Sequence, residues 1–314
     1  MASFLATPPA AATAMQVADD EAAETRKVVF VAGERSHGYG AHEHHAGLLL
    51  LSRLLNENHA GLETVVYENG WPSEPTAFDD ADAIVIFADG GRNHPALPHL
   101  ETLGRLMDRG VGLVLLHYAV EVPVDNGGRE LLDWVGGYFE THWSVNPHWT
   151  MQSLEFPDHP ITRGVTPYEI DDEWYYHMRF REGMAAVQPI LTALPPPSSL
   201  ERPDGPHSGN AHVREAVLER QEPQHLAWAI ERENGGRGFG FTGAHWHWNW
   251  GHPMQRRLVM NAIAWAAHAD VPEGGIEVGV VTIEDLEANQ DYDPRYDFDR
   301  ERFRQMVDGW HAEF

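Results

Sequence analysis

The chain has 314 residues, of which 42% are hydrophobic, and its 22 Lys and Arg residues stand against 48 Asp and Glu residues, a net charge of −26. This length is enough for one large domain or two small ones. An acidic surface disfavours nucleic acid and anionic membranes as partners, since both attract basic groups. No apolar run approaches the ~18 residues that a membrane helix needs, so we expect no membrane insertion. The chain has no cysteine, which excludes thiol catalysis.

Histidine and tryptophan are unusually frequent, with 20 and 11 residues. In a polar cleft, aromatic rings stack on the apolar faces of sugars, and imidazoles hydrogen-bond their hydroxyl groups. The alternative is that the tryptophans fill the core, where large aromatic side chains are mostly found. Composition alone leaves both interpretations open.

Residues 1–25 are rich in alanine, contain two adjacent prolines and end in acidic residues. We interpret them as a disordered tail. A truncated export signal is the alternative, because Ala12–Ala14 resembles a cleavage site, although the basic segment that begins such signals is missing. The segment therefore leaves the cellular compartment open.

From residue 26 to about 136, strand and helix patterns alternate. Short apolar runs rich in β-branched residues predict strands, and apolar residues at helical spacing predict helices. The alternation predicts a doubly wound α/β fold, with a mainly parallel central sheet and helices on both faces. The predicted strands are Arg26–Ala32, Leu62–Tyr67, Asp82–Phe87 and Val111–Leu116, and the predicted helices are His42–His59, His99–Arg109 and about Gly128–Gly136.

Val111–Leu116 is the element around which we expect the chain to be organised. It is continuously apolar and runs directly into His117, as expected for a central strand that is covered on both faces. Open α/β sheets bind ligands beyond the carboxyl ends of their strands, at the topological switch point. Many hydrolases place a nucleophile on such a strand-to-helix turn. We therefore expect His117 to lie in the functional site.

After Gly137 the pattern changes to short strands separated by turns, which predicts an added β-rich insertion. Pro195–Gly209 has the composition of a flexible loop. We divide the chain into the tail (1–25), an α/β domain (26–270) and an acidic extension (271–314). The predicted strands of this half are Trp149–Phe156, Ala185–Leu194, His212–Glu219, His225–Glu231 and Arg237–Thr242, and the predicted helices are Pro253–His268 and Asp299–His311.

Two groups of candidate site residues follow predicted strands. The first, Ser36–His45, includes His37, His42 and Glu43, with glycines that let the backbone approach a ligand. Four histidines in nine positions are more than helix capping requires. The second group, His117–Glu121, ends in Glu121, and its alternative interpretation is a buried histidine bonded to a backbone carbonyl.

A third group combines Phe139–Trp149 with Asp171–Phe180. His142 and Trp143 offer hydrogen bonding and stacking, and Glu173 is flanked by aromatic residues. Aromatic surroundings desolvate a carboxyl group and raise its pKa, which is how a general acid or base is tuned. A structural salt bridge is the alternative interpretation of Glu173.

The fourth group, Thr242–Trp250, directly follows a predicted strand. Side chains alternate in an extended segment, so His245, His247 and Asn249 are expected to share one face, opposite three tryptophans. His-x-His is also a spacing of metal ligands, which His117 or a histidine of the first group could complete to a zinc-like set.

These groups carry a resemblance to a known family. The relevant segments are SHGYGAHE, GVGLVLLHYAVE, LDWVGGYFETHWSVNPHW, DHPITRGV, DEWYYHMRF and TGAHWHWNW. Together they resemble the ThuA-like family, named for trehalose utilisation, over Val28 to about Ala267. The resemblance implies a fold like that of class I glutamine amidotransferases, of flavodoxin-like type, without their catalytic cysteine. It also implies a role in carbohydrate metabolism, with keto sugars or glycosides as the implied substrates, rather than amidotransferase activity.

The leading functional hypothesis is an enzyme, either a lyase, a hydrolase or an isomerase, that acts on a sugar or keto-glycoside by acid–base chemistry. His117 and Glu173 would transfer protons, and His42, Glu43 and His245 would orient the substrate or share that work. No Gly-x-Gly-x-x-Gly follows the first strand, so a tightly bound dinucleotide is not expected. The predicted substrate contacts are His37, Glu121, His142, Trp143, His247 and Asn249.

Two other hypotheses remain open. The same cleft could hold a divalent metal that activates water, or the protein could bind carbohydrate without turning it over. A small carbohydrate is the expected partner in every case, and a homo-oligomer is left open. For the acid–base mechanism we expect His117 and Glu173 to share a substrate without a direct salt bridge, which leaves the imidazole free as a base near neutral pH.

Overall fold

The structure is a computed structural model that describes residues 25–314. The predicted tail therefore lies outside the described residues, except for Thr25. Numbered along the chain, the strands are β1 (Arg26–Ala32), β2 (Leu62–Tyr67), β3 (Ala83–Phe87), β4 (Gly112–Leu116), β5 (Gly137–Tyr138), β6 (His148–Gln152), β7 (Glu169–Glu173), β8 (Arg179–Phe180), β9 (Val187–Ala193), β10 (Gln224–Glu231) and β11 (Arg237–Phe241). The helices are α1 (His44–Asn58), α2 (Leu100–Asp108), α3 (Gly128–Trp134), α4 (Ala211–Arg214), α5 (Pro253–Ala266), α6 (Ile283–Glu287) and α7 (Arg300–Glu313).

The central sheet has seven strands in the order β2-β1-β3-β4-β11-β10-β9. The first five are mutually parallel, and β10 is antiparallel to both of its neighbours. This confirms the doubly wound, mainly parallel sheet, with β4 in the middle as predicted. The strand order reverses between β1 and β3, so the switch point lies there, one strand away from β4.

The sheet buries side chains on both faces, and β1 shows how. Its alternate residues Val28 and Phe30 belong to one hydrophobic cluster, whereas Val29 and Val31 belong to another. The first cluster includes residues of α1 and α5, and the second includes residues of α2 and α3. Because successive side chains of a strand point to opposite faces, a continuously apolar strand is what this two-sided core requires.

The β-rich insertion follows β4 as predicted. It contains two small antiparallel pairs, β5 with β8 and β6 with β7, and β7 had not been predicted as a strand. The predicted strand His212–Glu219 is wrong, because this segment forms α4 and a following π-helical turn. The side chain of Asn210 accepts hydrogen bonds from the amides of His212 and Val213, which is a helix N-cap that the sequence interpretation overlooked.

The C-terminal region packs against the α/β unit through several buried apolar residues. Its apolar residues Val278, Val281, Leu286 and Val307 are buried and belong to the same core cluster as α1 and α5. The region also contains α6, which had not been predicted, whereas α7 matches the predicted final helix. Among residues 25–314, no helix is both long and apolar enough to cross a membrane.

The start of β4 provides a test of the packing between the central strand and α5. A Cβ atom at Gly112 would overlap the backbone carbonyl of Ala266, which cannot move without displacing the helix end. We expect Gly112→Ala to lower the free energy of unfolding by about 1–3 kcal/mol, the usual cost of overpacking a core. Urea denaturation followed by circular dichroism measures it.

The matched control is Gly104→Ala in α2, where a Cβ would be in ordinary contact, 3.5 Å from a Trp134 ring carbon. Alanine is the better helix former by up to about 1 kcal/mol, so this variant should be as stable as the wild type or more stable. Equal stability of the two variants would contradict this packing of β4 against α5.

Candidate functional site

The loops after neighbouring parallel strands bring the candidate residues together at one end of the sheet. His42 follows β1, His117 follows β4 and His245 follows β11, while Glu173 is the last residue of β7. His42 and His117 both adopt a φ of 53°, a left-handed conformation that is uncommon for residues other than glycine. Such strained backbone persists only where the surrounding structure holds it, and it is concentrated at functional sites.

His42, His117, Glu173 and His245, which we call the four-residue cluster, have ligand atoms that all lie within 4.8 Å of one another. His42 Nε2 is 3.1 Å from His117 Nε2 and 3.0 Å from His245 Nδ1. Glu173 Oε2 is 3.4 Å from His117 Nε2 and 3.2 Å from His245 Nδ1. The three histidines are buried, and the Glu173 side chain is 12% exposed. These distances test none of the predicted catalytic roles. They do show that one residue from each of the four groups of candidate residues lies at the same point.

In two histidines, the hydrogen bond made by Nδ1 determines whether Nε2 carries a proton or a lone pair. His117 Nδ1 lies 2.8 Å from the carbonyl oxygen of Thr242, which can only accept, so Nδ1 carries the proton. His42 Nδ1 lies 2.8 Å from the Asp89 carboxylate and donates to it. In their neutral forms, both rings therefore direct an Nε2 lone pair into the cluster.

Protonation of His42 is disfavoured by its surroundings. Burial lowers the pKa of His42 to about 2, and the hydrogen bond to Asp89 opposes this only in part. Burial alone would raise the pKa of Asp89, but its hydrogen bond with His42 lowers it to about 2. At neutral pH the pair is a carboxylate and a neutral imidazole, and the His42 lone pair faces two further ligand atoms.

The expectations for Glu173 need correction in two respects. Burial would raise the pKa of Glu173, as predicted, but the adjacent His117 and His245 rings outweigh burial and hold the pKa well below its usual range. The expectation that Glu173 and His117 form no direct salt bridge also needs correction, since Glu173 Oε2 and His117 Nε2 are 3.4 Å apart, within ion-pair distance when the imidazole is protonated. Asn146 Nδ2 donates to the carboxylate over 3.0 Å. Glu173 is thus a fixed anion.

Two aspartates that the sequence interpretation did not single out support the cluster. Asp89 orients His42. Asp172, fully buried, accepts hydrogen bonds from the backbone amides of Ala244 at 2.7 Å and Trp246 at 3.2 Å, on either side of His245. The position of Asp89 two residues after β3 was a signal available in the sequence, because loops after parallel strands meet at this edge.

A polar cleft of about 270 Å³ opens beside the cluster. His37 lines it and stacks on His42, with ring centres 3.6 Å apart. Glu121 lies behind its wall and hydrogen-bonds His207 Nε2 over 3.0 Å. Of the predicted substrate contacts, His37 is therefore in the cleft and Glu121 supports it. The lining consists of His37, His42, Tyr118, Asn146, Glu173, Tyr175, Arg202 and His207.

Arg202 and His207 come from Pro195–Gly209, which was predicted only as a flexible loop. His142 N donates to Pro206 O over 2.7 Å and Asn146 N donates to His207 O over 2.9 Å, which fixes this loop over the cleft. The hydrogen bond that His207 donates to Glu121 raises the pKa of His207 above its ordinary value, although burial opposes it. His207 is therefore the cleft imidazole that can carry a proton near neutral pH.

Glu43 was predicted to be catalytic, but its carboxylate binds backbone. Its oxygens accept hydrogen bonds from the amides of Gly40 at 3.0 Å and Asp291 at 2.7 Å. Burial raises the pKa of Glu43 to about 7 in spite of these bonds. The side chain stabilises the loop that carries His42 rather than facing the cleft.

The remaining predicted substrate contacts lie apart from the cluster. His142 is exposed, and Trp143 packs under Arg179, whose guanidinium carbon is 3.7 Å from the ring centre. The expected shared face of His245, His247 and Asn249 is wrong, because His247–Gly251 is a 3₁₀ turn and not an extended segment. His247 is fully buried beside the backbone of Leu286, and Asn249 donates to the carbonyl of Asp171 over 2.8 Å.

The fold and site define an α/β protein of flavodoxin-like organisation with a buried histidine–carboxylate cluster at the carboxyl end of its sheet. A family model described as ThuA, trehalose utilisation, matches residues 27–266. The chain belongs to this ThuA family, and the resemblance found in the sequence is confirmed. No curated protein matches the sequence.

Two solved structures of ThuA-like proteins support the fold. A ThuA-like protein from Bacteroides uniformis is 15% identical with a TM-score of 0.56, and the match covers 81% of this chain and 96% of that chain. A ThuA-like protein from Parabacteroides merdae is 14% identical with a TM-score of 0.51, and the match covers 84% and 99% of the two chains. A glutamine amidotransferase from Thermotoga maritima is 6% identical with a TM-score of 0.39, over 70% and 76%.

The pair formed by Glu121 and His207 can be tested by titration. Because the hydrogen bond to Glu121 raises the pKa of His207, Glu121→Gln should lower that pKa and leave less imidazolium near neutral pH. NMR titration of histidine-labelled protein measures the pKa, with His207→Gln used to assign the resonance. An unchanged pKa in Glu121→Gln would contradict the pairing.

Proposed function

We propose that this protein is a metal-dependent enzyme acting on a carbohydrate, with a divalent ion held by His42, His117, His245 and Glu173. The observation that carries the proposal is the spacing of the four ligand atoms. Zinc–nitrogen bonds of about 2.0–2.1 Å put neighbouring ligand atoms of a tetrahedral site roughly 3.3 Å apart. Four of the six separations in the cluster are 3.0, 3.1, 3.2 and 3.4 Å.

The chemistry of the donors agrees with a transition-metal ion. Imidazole favours zinc, copper, iron and nickel, whereas magnesium and calcium prefer all-oxygen sites. Metal-binding histidines usually donate their other N–H to a carboxylate or a backbone carbonyl, and His42 and His117 have such partners in Asp89 and Thr242. Zinc is therefore the first candidate.

The acid–base mechanism that uses His117 and Glu173 without a metal receives less support. His117 Nε2 faces His42 Nε2 at 3.1 Å, and two lone pairs at that distance repel each other unless a cation or a proton lies between them. Burial holds the pKa of His42 far below neutrality, so a proton on that ring is a poor explanation. A divalent cation between the four ligand atoms would remove this repulsion, with His245 in the tautomer that leaves Nδ1 unprotonated.

The cleft supplies the groups for substrate chemistry. A bound divalent ion polarises carbonyl or hydroxyl oxygens and lowers the pKa of water. His207, with its raised pKa, is placed to exchange a proton with a sugar oxygen, and Glu121 stabilises its charged form. Tyr118, Asn146 and Arg202 line the same cleft and offer hydrogen bonds to hydroxyl groups. The family description, trehalose utilisation, supports a sugar or glycoside, including a keto-glycoside, as the substrate.

A purely carbohydrate-binding role was favoured by the tryptophan count, and burial now accounts for much of that count. None of the residues that line the cleft is a tryptophan. Six tryptophans are buried among the described residues, namely Trp149, Trp174, Trp228, Trp248, Trp250 and Trp265. Packing therefore explains their presence without a stacking platform for sugars.

Metal content gives the first test. Protein purified without a histidine tag should contain about one equivalent of a first-row transition metal. Most of this metal should be lost in each of three variants, His42→Ala, His245→Ala and Glu173→Gln, because each removes a metal ligand. Even a change that only disturbs the orientation of a ligand typically lowers metal affinity 10–100-fold. Inductively coupled plasma mass spectrometry measures the content.

His142→Ala is the matched control for the metal measurement, since His142 is exposed and lies outside the four-residue cluster. It should keep the wild-type metal content. A metal-free wild type that cannot be loaded with zinc, or full loading of all three cluster variants, would rule out the proposed centre.

The role of His207 gives a second test. His207→Gln should retain the metal and lower kcat by about 10²–10⁴-fold, the usual contribution of a general acid or base. Turnover is measured with a panel of glycosides and keto-glycosides by chromatography of the released sugars. A fully active His207→Gln variant would remove His207 from the mechanism.

A further inference from the structure

The C-terminal segment, residues 271–314, lies outside the part of the chain that matches the family model, which ends at residue 266. It nevertheless reaches the loop that carries His42. Gln290 and Asp291 follow α6 and lie against Gly40 and Glu43. The distance along the chain is about 250 residues, so this contact depends on the folded C-terminal segment.

Gly40 is the point at which three segments of the chain meet. Its amide donates to Gln290 Oε1 and to Glu43 Oε1, both over 3.0 Å. Its carbonyl accepts from His247 N over 2.9 Å. The second Glu43 oxygen accepts from the amide of Asp291 over 2.7 Å. The C-terminal segment therefore fixes the backbone on both sides of Ala41 and His42.

The same loop is paired with the loop that carries His245. His42 N donates to His245 O over 3.0 Å, and Ala41 forms an antiparallel bridge with Trp246. Two of the proposed metal ligands are thus joined through their own backbone. A displacement at Gly40 would be transmitted to His42 and His245 together.

Aromatic packing attaches the segment at a second point. Phe298 stacks on Trp248, with ring centres 5.1 Å apart, and meets the edge of Tyr39 at 4.9 Å. Phe303 packs on Trp248 at 4.8 Å. Tyr39 directly precedes Gly40, and Trp248 lies three residues after His245, so these rings support both ligand loops.

We propose that the C-terminal segment is a part of the metal centre, in which Gln290 acts as a positioning residue for His42 and His245. The inference rests on the proposed function, since it concerns the ion that these histidines hold. His42 keeps a left-handed φ of 53° that a free loop would relax, and the acceptor at Gln290 is one of the contacts that prevent this. Residues that orient metal ligands typically change metal affinity 10–100-fold when they are altered.

The test uses the full-length protein and zinc. Gln290→Ala removes the acceptor that the C-terminal segment gives the Gly40 amide and leaves the second acceptor, Glu43 Oε1. Gln305→Ala is the matched control. Gln305 is an exposed glutamine of the same segment whose amide donates to Glu301. The zinc dissociation constant is measured by competition with a chromogenic chelator, and the thermal midpoint of each metal-free protein is measured alongside.

Gln290→Ala should raise the zinc dissociation constant by about tenfold or more, while its metal-free thermal midpoint stays close to that of Gln305→Ala. A merely structural role would lower the thermal midpoint and leave the zinc affinity of the folded protein unchanged. If Gln290→Ala fails to fold, Gln290→Met is measured instead, because it keeps the length of the side chain and loses the acceptor.

An affinity for zinc within twofold of the wild type in the folded Gln290 variant would overturn the inference and leave the proposed centre intact. Failure of the wild type to bind zinc would overturn the centre itself, and the inference with it. The two failures are therefore distinguishable in one experiment.

Discussion

The convergence of four potential ligand atoms on one point is the constraint on which the rest of the site depends. His42 and His117 both direct lone pairs inwards, because their outer nitrogens donate to Asp89 and to the Thr242 carbonyl. The Glu173 carboxylate joins them as a fixed anion. Lone pairs this close repel one another unless a proton or a cation lies between them, so the fold must hold the set in place. The hydrogen bonds of Asp89 with His42 and of Asp172 with the amides on either side of His245 do so.

The hydrophobic pattern was sufficient to predict the sheet. Val111–Leu116 had to be covered on both faces, and it is the middle strand of seven. The competition between helix and strand within short segments was harder to predict from the sequence. His212–Glu219 has β-compatible residues, yet the cap at Asn210 makes it helical. The switch point lies between β1 and β3 and not at β4. This position was not predictable, because sequence patterns indicate the strands but not their order in the sheet.

The residues of the four-residue cluster were singled out from the sequence, but the electrostatics of the cluster were not predicted. His42, His117 and His245 were singled out because they follow strands whose carboxyl ends meet, which is a property of chain order. Glu173 was singled out for its aromatic neighbours. The pKa of Glu173 depends instead on the distance to two imidazoles, and no spacing in the sequence supplies that distance. His247 and Asn249 were misplaced because the alternation of an extended chain ends at the 3₁₀ turn His247–Gly251. Glu43 was misread because its partner, Asp291, is contributed by a distant segment.

The central claim is that these four residues share one divalent metal ion. X-ray absorption at the metal edge of the loaded, untagged protein tests it most directly, because the spectrum reports the number and type of ligands. The account predicts imidazole scattering from three histidines and oxygen from one carboxylate, with metal–ligand distances of about 2.0–2.2 Å for zinc. A spectrum with oxygen ligands alone, or with a single imidazole, would contradict it.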